Sequence, residues 1–206
     1  MAEHVYLASK SPRRLELLMS LGLKVTVAAG NAHTRGYFEG DEEVRPGEHP
    51  EDYVRRTAET KWREGWMRVT AMPGFEKGVP LIAADTTVSL GETIYGKPKD
   101  AEEAKAFLRA LSGVAHDVRT AVVVGTGPED MTSVVQRSLV HFRELTEDEI
   151  AAYVATGEPF DKAGGYGIQG LAGIFVSRIE GSFTGIMGLP VAETATLLAR
   201  LGVRVL

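Results

Sequence analysis

Leu81-Ile82-Ala83-Ala84-Asp85-Thr86-Thr87-Val88-Ser89-Leu90-Gly91-Glu92-Thr93-Ile94-Tyr95-Gly96-Lys97-Pro98 is the stretch on which the fold turns. Leu81 to Ala84, with Val79 just upstream, form a short apolar run that reads as a buried strand. The strand is expected to stop at Asp85. A carboxylate and two hydroxyls at the end of a buried strand lie where open α/β sheets hold ligands. Gly91-Glu92 suits a reversal, so Lys97 is expected to face Asp85 across a hairpin. A carboxylate for a metal or a proton would then sit beside a cation for a phosphate. Taken alone, the residues also allow a capping Asp and a solvated Lys.

Upstream, residues 5–8 are apolar and read as a first strand. Ser9-Lys10-Ser11-Pro12-Arg13-Arg14 follows, with Ser11 as N-cap and Pro12 at the first helical position. Leu15, Leu18 and Met19 mark an apolar face, and Gly22 closes the helix. Arg13 and Arg14 break a rule, because the positive end of a helix dipole disfavours cations. Backbone N–H groups, two serine hydroxyls and two guanidinium groups would suit a polyphosphate. Two solvated arginines pairing with an acid such as Glu16 are the alternative. Residues 23–28 read as a second strand. Residues 29–50 are polar and rich in Gly and Pro, a long loop of the kind that often carries function. In it Asp41, Glu42 and Glu43 offer either a metal ligand or a solvated acidic run. A helix starting at Pro50 or Glu51 reaches about Val69. Val54, Ala58, Trp62 and Trp66 lie on one face, and Arg55, Arg56, Lys61 and Arg63 make it basic. The two tryptophans are expected in the core or at a dimer contact.

Downstream, Asp100 caps a helix with Glu103 placed for a capping box, and Ala104, Phe107, Leu108 and Leu111 form its buried stripe. Residues 118–124 are strand-like and 131–142 an antiparallel return. Thr146 and Glu149 make a full capping box. Residues 158–173 hold five glycines, which regular structure does not favour. There Tyr166 offers a ring, and Gln169 an amide able to read a base edge. A structural turn with satisfied side chains is the alternative. Residues 174–179 read as a strand, 181–188 as a loop, and 191–201 as a closing helix. The expected class is α/β: a mixed sheet with flanking helices, as one domain over residues 1–206.

Composition narrows the function. The 206 residues carry a net charge of −5, which argues against a broad nucleic-acid-binding face. An anionic ligand must be met by a local basic cluster. There is no cysteine, which excludes disulfides and thiolate chemistry and suits a cytoplasmic location. No signal-peptide pattern or membrane-length apolar run is present. The histidines lack the spacing of a zinc site.

Six stretches together resemble the Maf family of nucleoside triphosphate pyrophosphatases. They are Leu7-Ala8-Ser9-Lys10-Ser11-Pro12-Arg13-Arg14, Ala84-Asp85-Thr86, Gly96-Lys97-Pro98, Leu111-Ser112-Gly113 with His116, Lys162 to Gly170, and Gly188-Leu189-Pro190. The resemblance implies two lobes around a central cleft, in the manner of Maf and ITPase-like proteins. It implies hydrolysis of a nucleoside triphosphate to the monophosphate and pyrophosphate with a divalent cation, Mg or Mn. Asp85 becomes the catalytic base and a metal ligand, with Glu42 as a second ligand and Glu43 its competitor. Ser11, Arg14, Lys61 and Lys97 become phosphate-binding residues. Arg13, Thr86 and Gln169 match the subgroup cleaving dTTP and UTP, whereas Trp, Gln and Glu would indicate 7-methyl-GTP. The resemblance leaves the cellular role open between house-cleaning of modified nucleotides and control of division, and it admits a homodimer; a pyrophosphatase of different base choice, such as 7-methyl-GTP, and a regulatory nucleotide-binding protein without turnover are the rivals. Residues 30–38 look like an insertion relative to the family, and Thr57 and Trp62 depart from the usual Leu and Ala beside the lysine.

Overall fold

In the computed structural model, which describes residues 3–28 and 43–205, strand β3 (Leu81–Leu90) runs through the middle of the molecule. It does not stop at Asp85 as expected. The apolar run continues as Val88 and Leu90 beyond a polar middle, and the ladder with the neighbouring strand is unbroken from Leu81 to Ser89. Alternation along β3 puts Ala83 against one helical layer and Ile82 and Ala84 against the other. Asp85 therefore shares a face with Ala83, and Thr86 with Ala84.

Strands β1 (His4–Leu7), β2 (Lys24–Val27), β4 (Thr93–Tyr95), β5 (Ala115–Gly125), β6 (Thr132–Phe142) and β7 (Val176–Glu180) complete a seven-stranded sheet. Its order is β2-β1-β3-β5-β6-β7, with β4 pairing separately on β3. β1 is parallel to β2 and β3, and the other pairings are antiparallel. On one edge β3 carries β5 throughout. On the other it carries β1 beside Leu81 and Ile82, then β4 beside Val88, Ser89 and Leu90. Among the described residues no strand lies beside 84–87 on that edge. The sheet is forked there, and the fork opens the cleft between two lobes.

Helices α1 (Pro12–Ser20) and α6 (Val191–Arg200) cover one face of the β1 lobe, and α2 (Pro50–Val69) covers the other. Trp62 of α2 is fully buried; its indole N–H donates to the Leu81 carbonyl at 2.9 Å and its ring stacks on Trp66. Both tryptophans thus pack as expected of core residues. Helices α3 (Ala101–Leu111) and α4 (Glu147–Ala155) close the second lobe around Phe142, Tyr166 and Phe175. The Thr146–Glu149 capping box is formed, a motif worth about 1 kcal/mol. Two expectations are corrected. Residues 181–188 are not simply a loop but include a short helix α5 (Phe183–Met187), capped by Ser182. The last strand starts at Val176, after a 3₁₀ segment Leu171–Phe175.

Second-lobe packing carries a pH dependence. His116 is buried, its Nε2 lies 2.8 Å from the Tyr166 hydroxyl, and its ring meets Phe142 edge-on. Burial pushes its pKa down from 6.5 to about 4. In that window the unfolded chain binds the proton that the folded chain excludes. Stability is therefore complete above pH 6.5, falls as pH drops toward 4, and loses about 3 kcal/mol in all. Urea unfolding of wild type and His116→Gln at pH 4 to 7 should show this steepness in wild type only. Parallel profiles would refute it.

Candidate functional site

The fork in the sheet contains a cavity of about 730 Å³. Ser11, Arg13, Arg14, Lys61, Asp85, Thr86, Lys97 and Gln169 all line it. Glu42 lies outside the described residues. The residues thus come together from α1, α2, β3, the end of the β3–β4 hairpin and the glycine-rich segment.

Asp85 is held from the α2 side. Lys61 Nζ lies 2.5 Å from its Oδ1, and the Thr57 hydroxyl lies 2.9 Å from its Oδ2. Both Lys61 and Asp85 are 7% exposed, so this is a largely desolvated ion pair at the cavity floor. Thr57 and Lys61 are one helical turn apart and so reach the same carboxylate.

Arg14 is held from the other face of β3. Its Nε donates to the Gly188 carbonyl at 2.8 Å, one terminal nitrogen donates to Ser9 Oγ at 3.3 Å, and the other to Thr86 Oγ1 at 3.2 Å. Gly188 has a φ of +115°, and a Cβ there would lie 3.5 Å from Arg14 Nε and from Thr86 Oγ1. A glycine lets the chain take that conformation and leaves this junction uncrowded. At the start of α1, Ser11 occupies the N-cap position, yet its hydroxyl makes no capping bond and no acid sits in the first turn. This helix end is therefore not neutralised from within its own first turn, and it faces the cavity with Arg13 and Arg14.

The hairpin expected from Gly91-Glu92 is present, with Val88 opposite Tyr95, and it delivers Lys97 to the cavity. The glycine-rich segment forms the far wall. Gly164 has a φ of +70° and rests on Val88 so closely that a Cβ would lie 2.9 Å from three of its carbons. Its N–H donates to the Gly96 carbonyl at 3.0 Å, tying this wall to the Lys97 hairpin. Gln169 is exposed at the cavity mouth. Tyr166 also lines the cavity, though little of it is accessible. It is 6% exposed and its hydroxyl lies against His116, so it chiefly packs the second lobe.

Four charged lining residues were given no role from the sequence: Lys10, Glu158, Asp161 and Lys162. Lys10 and Lys162 stand in two of the resembling stretches, and the clustering of the other two beside the glycines was the available signal. Lys162 donates to Asp161 at 2.6 Å and to the Glu158 carbonyl at 2.8 Å. That Lys162 bond chiefly, with the charge of Arg13 adding, holds the Asp161 carboxyl below its usual range. Glu158 accepts from the Tyr153 hydroxyl and the Leu171 N–H, each at 3.0 Å. Among the described residues the lining has six basic side chains against three acidic ones, in a chain whose net charge is −5.

Among the described residues no group of three or more His, Asp or Glu side chains could enclose a metal. A Mg-type ion needs no such cage. It binds one or two carboxylates, keeps several waters and takes phosphate oxygens from its substrate. Asp85, a single carboxylate beneath a cation-rich rim, fits that mode.

The family described as Maf-like protein matches residues 4–201 of this chain. A protein from Chromobacterium violaceum named dTTP/UTP pyrophosphatase is 50% identical over 200 residues, 96% of this chain and 94% of its own. A protein of the same name from Bordetella avium is 49% identical over 201 residues, 97% of this chain and 96% of its own. Among solved structures, a HAM1 protein from Coxiella burnetii aligns with a TM-score of 0.47 at 16% identity, covering 96% of this chain and 99% of that one. The match across nearly the whole length, at half identity to such relatives, establishes that this chain belongs to the Maf family.

Proposed function

We propose that this protein is a nucleoside triphosphate pyrophosphatase that hydrolyses dTTP and UTP to the monophosphate and pyrophosphate. The observation that carries the reading is a buried carboxylate, Asp85, on the floor of a cavity whose rim is basic in an acidic chain. The names of the relatives support the choice of substrates.

In this reading Asp85 takes a proton from water as the water oxygen bonds to phosphorus in the α–β anhydride. The anhydride P–O bond breaks and pyrophosphate leaves. Lys61 fixes one carboxylate oxygen and Thr57 the other, so the base is oriented before substrate arrives. Ser11, Arg14, Lys61, Lys97 and the first turn of α1 offset charge on the triphosphate and on the departing pyrophosphate. A bound Mg or Mn ion would be held by Asp85, with Glu42 as the proposed second acid, and would neutralise phosphate oxygens. Arg13, Thr86 and Gln169 would select the base.

Pyrophosphate release from a panel of triphosphates, with and without Mg or Mn, tests the reading. UTP and dTTP should be cleaved in preference to 7-methyl-GTP, and chelation should abolish turnover. Binding of UTP with no release under any metal would instead make the protein a regulatory nucleotide binder. Gln169→Glu tests the base-reading role separately. An added carboxylate accepts but cannot donate, so kcat/KM for UTP should fall by about tenfold or more. Unchanged selectivity would remove Gln169 from base reading.

A further inference from the structure

The β3–β5 register places Thr86 opposite Thr120, and their hydroxyl oxygens are 2.9 Å apart. Each hydroxyl has one proton, so the direction of this bond follows from the partners on either side. Thr120 Oγ1 lies 2.7 Å from the Gly185 carbonyl, which can only accept. The Thr120 proton is spent there, and Thr86 must donate to Thr120. On the other side Thr86 accepts from the Arg14 guanidinium, which can only donate. The order is therefore fixed: Arg14 to Thr86, Thr86 to Thr120, Thr120 to Gly185. Thr86 has no proton left for a ligand and one lone pair still open.

Thr86 lines the cavity, whereas Thr120 is fully buried behind it. We propose that Thr120 is a positioning residue that makes Thr86 an acceptor only, so that the site favours a base edge presenting N–H over one presenting a bare ring nitrogen. Uracil and thymine carry a hydrogen on N3; cytosine has an unprotonated N3 there. The proposal rests on the pyrimidine reading above and gives it a physical cause. A ring nitrogen facing Thr86 would meet a lone pair, an unpaired and therefore costly contact.

The test is the ratio of kcat/KM for UTP over CTP in wild type, Thr120→Val, Thr120→Cys and Thr120→Ser, with thermal melts to confirm folding. Val and Cys remove the strong oxygen acceptor, which frees the Thr86 proton to point into the cavity. The ratio should drop about tenfold in either, through CTP use rising relative to UTP, while Ser should keep the wild-type ratio. A merely structural role would lower both nucleotides together, and that outcome overturns the proposal. So does a wild-type enzyme that treats UTP and CTP alike, or a folded Val or Cys variant with an unchanged ratio. If wild type releases no pyrophosphate from UTP, the activity reading fails on its own. The UTP and CTP dissociation constants of the same four proteins, by calorimetry, then judge the relay by the same ratio.

Discussion

Asp85→Asn should lose about 10³-fold or more in kcat while remaining folded, because an amide cannot take the proton that a general base removes. The hydrogen bonds explain why the fold survives. The Asn carbonyl would take the place of Oδ1 facing Lys61, and its amide nitrogen would face Thr57. Thr57 can accept there and turn its own proton to the Tyr53 carbonyl, already 2.9 Å away. The charge is a different matter. Lys61 would keep its ammonium in a site 7% exposed and lose the carboxylate 2.5 Å from it. Loss of one member of such a pair is destabilising, by up to about 3 kcal/mol. A plain reading of Asp85 as a strand-end residue gives no such cost, since the ion pair is not visible in the sequence. The double variant Asp85→Asn/Lys61→Met should regain much of that stability and none of the activity. Pyrophosphate release and thermal unfolding, measured on both proteins, separate the two effects. An Asn variant within threefold of wild-type kcat would remove Asp85 from the chemistry.

What the sequence makes legible here is local. Pro12 at a helix start, the Thr146–Glu149 box and the Gly91-Glu92 reversal each depend on neighbours within a few residues, and each appears in the fold. Local rules grouped Ser11 with Arg13 and Arg14, and Asp85 with Lys97, but the convergence of both groups with Lys61, Thr86 and Gln169 on one cavity came from resemblance, since no local rule links Ser11 to Gln169. Three features were beyond either. β3 was expected to end at Asp85 because polar residues usually leave a core; here β5 pairs with them and α2 supplies a cation and a hydroxyl, so strand geometry persists through the fork. Helix α5 is too short for a periodic signal, and its start depends on the Ser182 cap. Thr57 and Thr120 are neutral residues whose importance comes from long-range oxygens, that of Asp85 for Thr57 and those of Thr86 and Gly185 for Thr120. Nothing in a threonine's flanking sequence announces that. Glu42, the proposed second acid, falls outside the described residues.

Gly65→Ala should damage the site from a distance, because helix α2 carries Thr57, Lys61 and Gly65 one turn apart on a single stripe. The first two hold Asp85, and the third is where the helix touches the end of β1. A Cβ on Gly65 would lie 2.4 Å from Ala8 Cβ and 3.4 Å from Leu81 Cδ2. Two methyl carbons require well over 3 Å, so one side must yield by about 1 Å or more. Ala8 is tied down, its N–H donating to the Ile82 carbonyl at 2.8 Å, and it leads directly into Ser9 and Ser11. If α2 lifts, Lys61 leaves Asp85; if Ala8 yields, the Arg14 helix start shifts. Either way the groups around the cavity separate. A misplacement of about 1 Å costs on the order of 10²-fold in rate, and overpacking costs about 1–3 kcal/mol in stability. The expected result is a lower melting temperature with kcat/KM for UTP down about 10²-fold. The companion variant Ala8→Gly/Gly65→Ala moves the methyl from one side of the contact to the other. It should recover most of the activity, because the distance between α2 and β1 is then relieved of the clash. Recovery in the double variant ties the loss to that contact, whereas a single Gly65→Ala variant with wild-type kinetics would show that the Lys61–Asp85 pair does not depend on how closely α2 sits on β1.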